Sequence, residues 1–320
     1  MKLKAVDNYQ RNKSKSFVVA IVGLLLGFGC IYKTLSNYES TYQLDNEELK
    51  AAVKRKSDPL AAAVSILCWV VTSPKTHKTR AEHVKNTWGR DCNHLIFMSS
   101  QNDSHLGAVA LPVSEGRDHL WAKTKESLNY LYKHHQFSAD WFFKADDDTY
   151  AVMDNMRDLL KDLSAADPWY LGNRFHSKEL GVYAGGGSGY IFSRKTLQMV
   201  VEKGLNDAEK CREDHDGYED VEMGKCLANI GISMSDTRDA RGGMRFLPYM
   251  PNVHADQEEM TTEDKKWFFQ FTADDPVPKG MASCSPRAVT FHYVSPEEMY
   301  ELDFLIYQIR LYGDESYLIR

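Results

Sequence analysis

Several signatures that would settle function at once are missing from this 320-residue chain. The apolar stretch Ala63-Val64-Ser65-Ile66-Leu67-Cys68-Trp69-Val70-Val71 is not followed by G-x-G-x-x-G, so the dinucleotide fingerprint is absent. No G-x-x-x-x-G-K-[ST] occurs either, which excludes a P-loop as the means of holding phosphate. Positive charge is not in excess: 39 Lys and Arg stand against 45 Asp and Glu, for a net charge of −6. With no basic stripe interleaved with aromatics, nucleic acid is set aside as a partner. The six cysteines lack repeated C-x-x-C spacing, which argues against structural zinc. An EF-hand starting at Asp146 fails because Ala151 stands where that loop needs glycine.

What is present begins with a membrane signal. Ser16 to Tyr32 is uncharged and strongly apolar, at the short end of what spans a bilayer. Lys2, Lys4, Arg11, Lys13 and Lys15 precede it, and Glu39, Asp45, Glu47 and Glu48 follow, so the positive-inside bias keeps the N-terminus cytosolic. A cleaved signal peptide is the competing reading. The run is longer than a usual signal core, and Gly27-Phe28-Gly29-Cys30 is a poor cleavage site. The expected organisation is a cytosolic tail (1–15), a transmembrane signal anchor (16–32), a stem (33–60) and a lumenal domain (61–320), single-pass and type II. An oxidising lumen permits disulfides. The local pairs Cys68–Cys92 and Cys211–Cys226 are the simplest arrangement and leave Cys284 single. Asn102-Asp103-Ser104 is a glycosylation sequon.

Within the domain, strands and helices alternate. Apolar runs at Ala63–Val71, Leu95–Met98, Trp141–Phe143 and Trp169–Gly172 read as strands, and helical patterns begin near Lys78, Leu120, Val152 and Arg194. That alternation predicts an α/β fold with a mainly parallel, Rossmann-like sheet flanked by helices. Ligands in such sheets bind at the carboxyl edge of the strands. The acidic run Asp146-Asp147-Asp148-Thr149 stands at that edge. If the chain stays extended there, Asp146 and Asp148 share a side and invite a divalent cation. Helix capping by Asp148 or Thr149 explains the same residues equally well. A second acidic group, Glu219-Asp220, sits at a predicted helix start, where it either complements the dipole or supplies a general base. The glycines of Tyr183-Ala184-Gly185-Gly186-Gly187-Ser188-Gly189 allow close backbone approach to a ligand, or form a plain turn. Ala288 to Val294 reads as a late strand carrying His292.

Taken in order, TSP after the first strand, RAEHVKNTW, FFKADDDTY, AGGGSGYIFS, YEDVEMGKC and FHYV resemble the inverting β1,3-glycosyltransferases of GT-A fold, family 31, and among them the core 1 galactosyltransferases. The resemblance covers roughly residues 63–313. It implies transfer of galactose from UDP-galactose to O3 of GalNAc on Ser or Thr of a glycoprotein, in the Golgi membrane, by a homodimer. It assigns Mn²⁺ to Asp146, Asp148 and His292, and the catalytic base to Asp220. It places Thr72, Arg80, Lys123, Asp147, Gly185 and Gly186 on the donor, and Glu219, Gly242, Trp267 and Tyr293 on the acceptor side. Relatives carry adjacent cysteines where this chain has Ser283-Cys284, so their disulfide arrangement does not transfer unchanged. Two other functions share the motifs in whole or part: a fringe-like GlcNAc transferase, and a galactosyltransferase-specific chaperone, which lacks the aspartates.

Overall fold

The computed structural model describes residues 59–177, 181–255 and 277–309, with single positions 263, 266, 268, 270 and 272 between the last two. The apolar run 16–32, the stem as far as residue 58, and Trp267 lie outside the described residues. Among the described residues no helix is long and apolar enough to cross a membrane.

The strands are β1 (Ile66–Val71), β2 (His94–Ser99), β3 (Ala108–Ala110), β4 (Trp141–Asp146), β5 (Tyr150–Ala151), β6 (Tyr170–Gly172), β7 (Arg174–Ser177), β8 (Gly181–Ala184), β9 (Tyr190–Ser193), β10 (Phe246–Leu247) and β11 (Thr290–Phe291). The α-helices are α1 (Pro59–Ala63), α2 (Glu82–Asn86), α3 (Leu120–His135), α4 (Met153–Leu160), α5 (Arg194–Met199), α6 (Glu219–Asn229), α7 (Pro251–Ala255) and α8 (Pro296–Tyr307). A π-helical turn, His77–Ala81, leads into α2, and another, Val200–Leu205, continues α5.

Six strands form the main sheet in the order β3-β2-β1-β4-β9-β6. The first four are mutually parallel, and β9 alone runs against its neighbours. β1 is buried along its whole length because both faces of the sheet are covered. Ile66, Cys68 and Val70 pack with Trp88 and Phe143 in one cluster, while Leu67, Trp69 and Val71 pack with Trp121 and Phe142 in the other. The period-2 alternation thus feeds two cores from one strand.

The chain winds outward from β1 through β2 to β3, then returns to β4 on the other side of β1. This reversal creates a crevice at the carboxyl ends of β1 and β4, where open α/β sheets bind ligands. The residues just beyond each strand meet there: Thr72 Oγ1 donates to Asp147 Oδ2 at 2.8 Å.

A small sheet, β10-β11-β5, completes the arrangement. β11 runs antiparallel to β5, with Phe291 opposite Tyr150 and Thr290 opposite Ala151. That register delivers His292 beside the acidic turn, across a long gap in sequence. The late strand is shorter than the expected 288–294. Tyr293 has φ +58°, an unusual conformation for a non-glycine residue, and it ends the extended backbone. Ser295 and Glu298 then form a capping box that starts α8.

Cys68 is bonded to Cys92 and Cys211 to Cys226, and Cys284 is free. Both pairings agree with the sequence expectation. Asn102 is exposed in the loop after β2, a position open to modification.

Candidate active site

β4 ends at Asp146, and Asp147 and Asp148 lie in a turn. Thr149 closes it: its N–H donates to the Asp146 carbonyl, and its Oγ1 accepts from the Asp146 N–H, both at 3.2 Å. The two outer carboxylates therefore converge because of a turn, not through the strand alternation expected from sequence. Asp146, Asp148 and His292 each present a ligand atom, all within 4.8 Å of one another. His292 Nε2 lies 3.3 Å from Asp148 Oδ1, and Arg80 Nη1 lies 3.0 Å from Asp148 Oδ2. Burial works to raise the pKa of Asp148, but His292 and Arg80 outweigh it and hold it below the usual carboxylate range. Burial dominates at Asp147 and raises it. That residue faces Thr72 and, at 3.5 Å, Arg80, and stands apart from the three-ligand cluster.

The glycine turn after β8 faces the acids. Thr149 Oγ1 donates to the Gly187 carbonyl at 2.9 Å, and Thr290 Oγ1 donates to the Ser188 carbonyl at 2.7 Å. Gly186 N–H donates to Asp220 Oδ2 at 3.1 Å, while Val221 N–H donates to Asp220 Oδ1 at 2.9 Å. Both oxygens of Asp220 are thus aimed by backbone, at the first turn of α6. Burial raises the pKa of Asp220 above the ordinary aspartate value.

Lys144 is the residue that sequence reasoning missed. It is 3% exposed, in the middle of a buried strand. Its Nζ donates to Asp146 Oδ1 at 2.6 Å and to the Gly186 carbonyl at 3.1 Å, and lies 3.9 Å from Glu219 Oε2. Burial disfavours the ammonium, yet the carboxylates of Asp146 and Glu219 outweigh that cost and raise its pKa. The signal was available: a lysine inside an apolar strand is almost never fully buried unless paired. Gly187 was also missed, although a Cβ there would sit only 2.0 Å from His292 Cε1.

These groups line one cleft of about 1230 Å³, ample for a sugar nucleotide together with an acceptor sugar. Residues 62–240 match the Fringe-like family. The chain belongs to the Fringe-like family. It is 39% identical over 257 residues to glycoprotein-N-acetylgalactosamine 3-beta-galactosyltransferase 1 of Xenopus laevis, covering 80% of this chain and 70% of that protein. It is also 32% identical over 183 residues to chondroitin sulfate synthase 3 of Homo sapiens, across 51% of this chain but 20% of the synthase. A galactosyltransferase crystallised with donor and acceptor sugar analogs overlaps 78% of this chain and 99% of its own at 11% identity, with a TM-score of 0.45. That overlap is too loose to carry an inference. The family and the Xenopus laevis relative make this Fringe-like chain a glycosyltransferase.

Most of the expected site residues gather on the cleft of this Fringe-like enzyme: Thr72, Arg80, Lys123, Asp147, Gly185, Gly186, Glu219 and Tyr293 line it with Asp146, Asp148, His292 and Asp220. Their environments differ. Lys123 is buried and committed to the Thr72 carbonyl (2.8 Å) and Glu115 (2.6 Å), so it braces the cleft wall at the end of β1. Glu219 accepts from Tyr190 Oη at 2.6 Å and Thr124 Oγ1 at 3.2 Å. Burial raises its pKa, and these bonds tie it to α3 and β9 rather than leaving it free in the cleft. Tyr293, 57% exposed, stacks on Tyr249 with ring centroids 5.7 Å apart and offers a flat aromatic wall. Gly242 is absent from the cleft wall. It occupies a turn with φ +82°, where its N–H donates to the Asp239 carbonyl at 2.9 Å. The turn chemistry of Asp239 and a positive φ explain that glycine without any ligand.

Proposed function

We propose that this enzyme transfers galactose from UDP-galactose to O3 of GalNAcα-Ser/Thr on glycoproteins, with inversion, making the core 1 O-glycan. The supporting observation is the juxtaposition, across one glycine turn, of a carboxylate–carboxylate–imidazole trio with a backbone-aimed aspartate. Identity to the Xenopus laevis galactosyltransferase supports the choice of sugars.

Asp146, Asp148 and His292 fit a divalent ion of the Mn²⁺ type, with two hard oxygens and one imidazole nitrogen. When bound, such an ion supplies Lewis-acid stabilisation of negative charge on the departing diphosphate. Arg80, half-exposed at the mouth, adds fixed positive charge beside the same acids. The acceptor hydroxyl attacks the anomeric carbon while Asp220 takes its proton. The new bond joins acceptor oxygen to C1 of galactose, and the bond from C1 to the diphosphate oxygen breaks, releasing UDP. Lys144 ties both halves together through Asp146, the Gly186 carbonyl and Glu219. Tyr293 stacks against the acceptor sugar or its peptide. Residues 16–32 anchor the enzyme in the Golgi membrane as a type II protein with a lumenal catalytic domain, and the working form is a homodimer.

The test is transfer from UDP-galactose to a GalNAcα-threonine peptide with Mn²⁺ or chelator, beside a panel of other UDP-sugars. Metal-dependent galactose transfer supports the proposal. Preference for another UDP-sugar moves the assignment to a different member of the family, and no transfer by folded protein moves it to a binding or chaperone role.

A further inference from the structure

The segments that lead to the glycine turn and to His292 also meet at a second, smaller recess. Asn173 and Arg174, at the join of β6 and β7, line it with Arg238 and Arg245, and Met244, Phe246 and Val277 give it apolar walls. None of these residues lines the cleft.

The polar groups in this recess are not balanced. Arg238 is committed to Asp236, with Nη2 donating to Oδ2 at 2.6 Å and Nε to Oδ1 at 3.0 Å. Arg238 and, beyond it, Arg174 hold Asp236 below the usual carboxylate range. Arg245 has no such acid: among the described residues it forms no ion pair, and its buried Nε and Nη1 have no hydrogen-bond partner. Its backbone is locked in place, because its carbonyl accepts from Val289 N–H at 2.6 Å. Asn173 is 3% exposed, and its Nδ2 is likewise without a partner. Buried N–H donors are nearly always satisfied, and a guanidinium against apolar walls calls for a counter-charge. The free volume, about 10 Å³, holds a single water-sized particle, which favours a monatomic anion over sulfate or phosphate.

We propose that this recess binds a small halide-class anion, with chloride as its ordinary occupant, held by Nε and Nη1 of Arg245 and Nδ2 of Asn173. The anion joins the start of β7 to the strand pair β10–β11. It thereby braces the two segments that carry the glycine turn and His292, without touching substrate. A carboxylate of the chain itself would supply the same charge, and Asp274 and Asp275 precede the lining residue Val277 in sequence. The two sources differ in one respect: only the first depends on dissolved halide.

The experiment is thermal unfolding of the purified full-length chain at constant ionic strength, with gluconate replaced stepwise by chloride or bromide. The midpoint rises by about 2–4 °C as halide saturates the site. Arg245→Met, of similar length and uncharged, unfolds at the same temperature in both salts and no lower than the native chain in gluconate. Asn173→Asp, which supplies the negative charge internally, also loses the halide response. Crystals soaked in bromide show an anomalous peak between Arg245 and Asn173. A native midpoint indifferent to halide, a response that survives in Arg245→Met, or an absent bromide peak overturns the proposal. So does a halide-independent loss of stability in Asp274→Asn or Asp275→Asn, which identifies an internal carboxylate as the counter-charge.

Discussion

Replacing Gly187 by alanine separates metal binding from folding. A Cβ at this position would lie 2.0 Å from His292 Cε1, 2.4 Å from Nδ1 and 2.5 Å from Nε2. Carbon atoms in contact normally stay about 3.5–4.0 Å apart, so the imidazole must retreat by roughly 1.5 Å. The glycine turn cannot give way instead, since Thr149 and Thr290 hold the carbonyls of Gly187 and Ser188. Gly187 is not among the glycines of positive φ, so alanine suits its backbone, and only the contact with His292 is at stake. The ring faces the open cleft and can swing outward, which costs little stability but breaks its 3.3 Å approach to Asp148. Disturbing the groups that orient metal ligands typically costs about 10–100-fold in affinity, or about 1.4–2.7 kcal/mol. Titration of Mn²⁺ followed by electron paramagnetic resonance would read that loss directly, and the thermal midpoint should move by less than about 2 °C. Gly186→Ala is the contrast. Its Cβ would meet Glu219 Oε2 at 2.9 Å and Asp220 Cβ at 3.4 Å, so kcat should fall while Mn²⁺ affinity holds. Native metal affinity and full activity in Gly187→Ala would refute the placement of His292 at the metal.

Asp220→Asn should lower kcat by about 10²–10⁴-fold and leave UDP binding by calorimetry unchanged, as loss of a general base predicts. Because burial raises the pKa of Asp220, and the base works only when deprotonated, kcat/KM should fall with decreasing pH through an apparent pKa above the ordinary aspartate value of 3.8. Lys144→Met leaves the carboxylates of Asp146 and Glu219 without their buried cation and should destabilise the fold by about 3–5 kcal/mol in chemical denaturation. That deficit should shrink as pH falls, since protonation then neutralises the stranded acids; a deficit that grows would contradict the pairing. Burial lowers His254 from 6.5 to about 4, so the unfolded chain binds the extra proton first as pH falls. Its contribution to stability is intact above pH 6.5 and lost progressively toward pH 4, by about 3 kcal/mol in all, and His254→Leu should flatten the stability profile across that window.

The central strands were legible because burial on both faces leaves unbroken apolar runs, as at Ile66–Val71 and Trp141–Phe143. The disulfides were legible for a simpler reason: each joins cysteines close in sequence, 24 and 15 residues apart. His292 was different. Its strand contributes two residues to a small sheet, and its neighbour is set by antiparallel pairing with β5, which no local pattern encodes. Only family resemblance reached it. Asp146 and Asp148 were paired for a reason the structure replaces, since side-chain alternation requires extended backbone and Thr149 folds that backbone into a turn. A glycine at positive φ, such as Gly242, looks the same in sequence whether it serves a ligand or a turn, and the structure shows Gly242 in a turn.

The glycine run shows how one motif can satisfy several demands. Read alone, Gly185-Gly186-Gly187 suggests backbone yielding space to a sugar. In the fold, each position is kept small by a different protein neighbour. A Cβ at Gly185 would strike the Phe175 ring at 2.3 Å, at Gly186 the Glu219 carboxylate at 2.9 Å, and at Gly187 the His292 ring at 2.0 Å. Three partners from β7, α6 and the end of β11 therefore press on three successive residues. Close packing passes such displacements to the neighbour, which yields little where it is buried, as at Phe175, and moves outward where it borders the cleft, as at His292. The turn thus sets the distance between Asp220, the proposed base, and the Asp146–Asp148–His292 group, and does so from backbone alone. Side-chain substitution elsewhere on the cleft can tune affinity for a sugar, but the spacing of its two chemical halves depends on these glycines remaining bare.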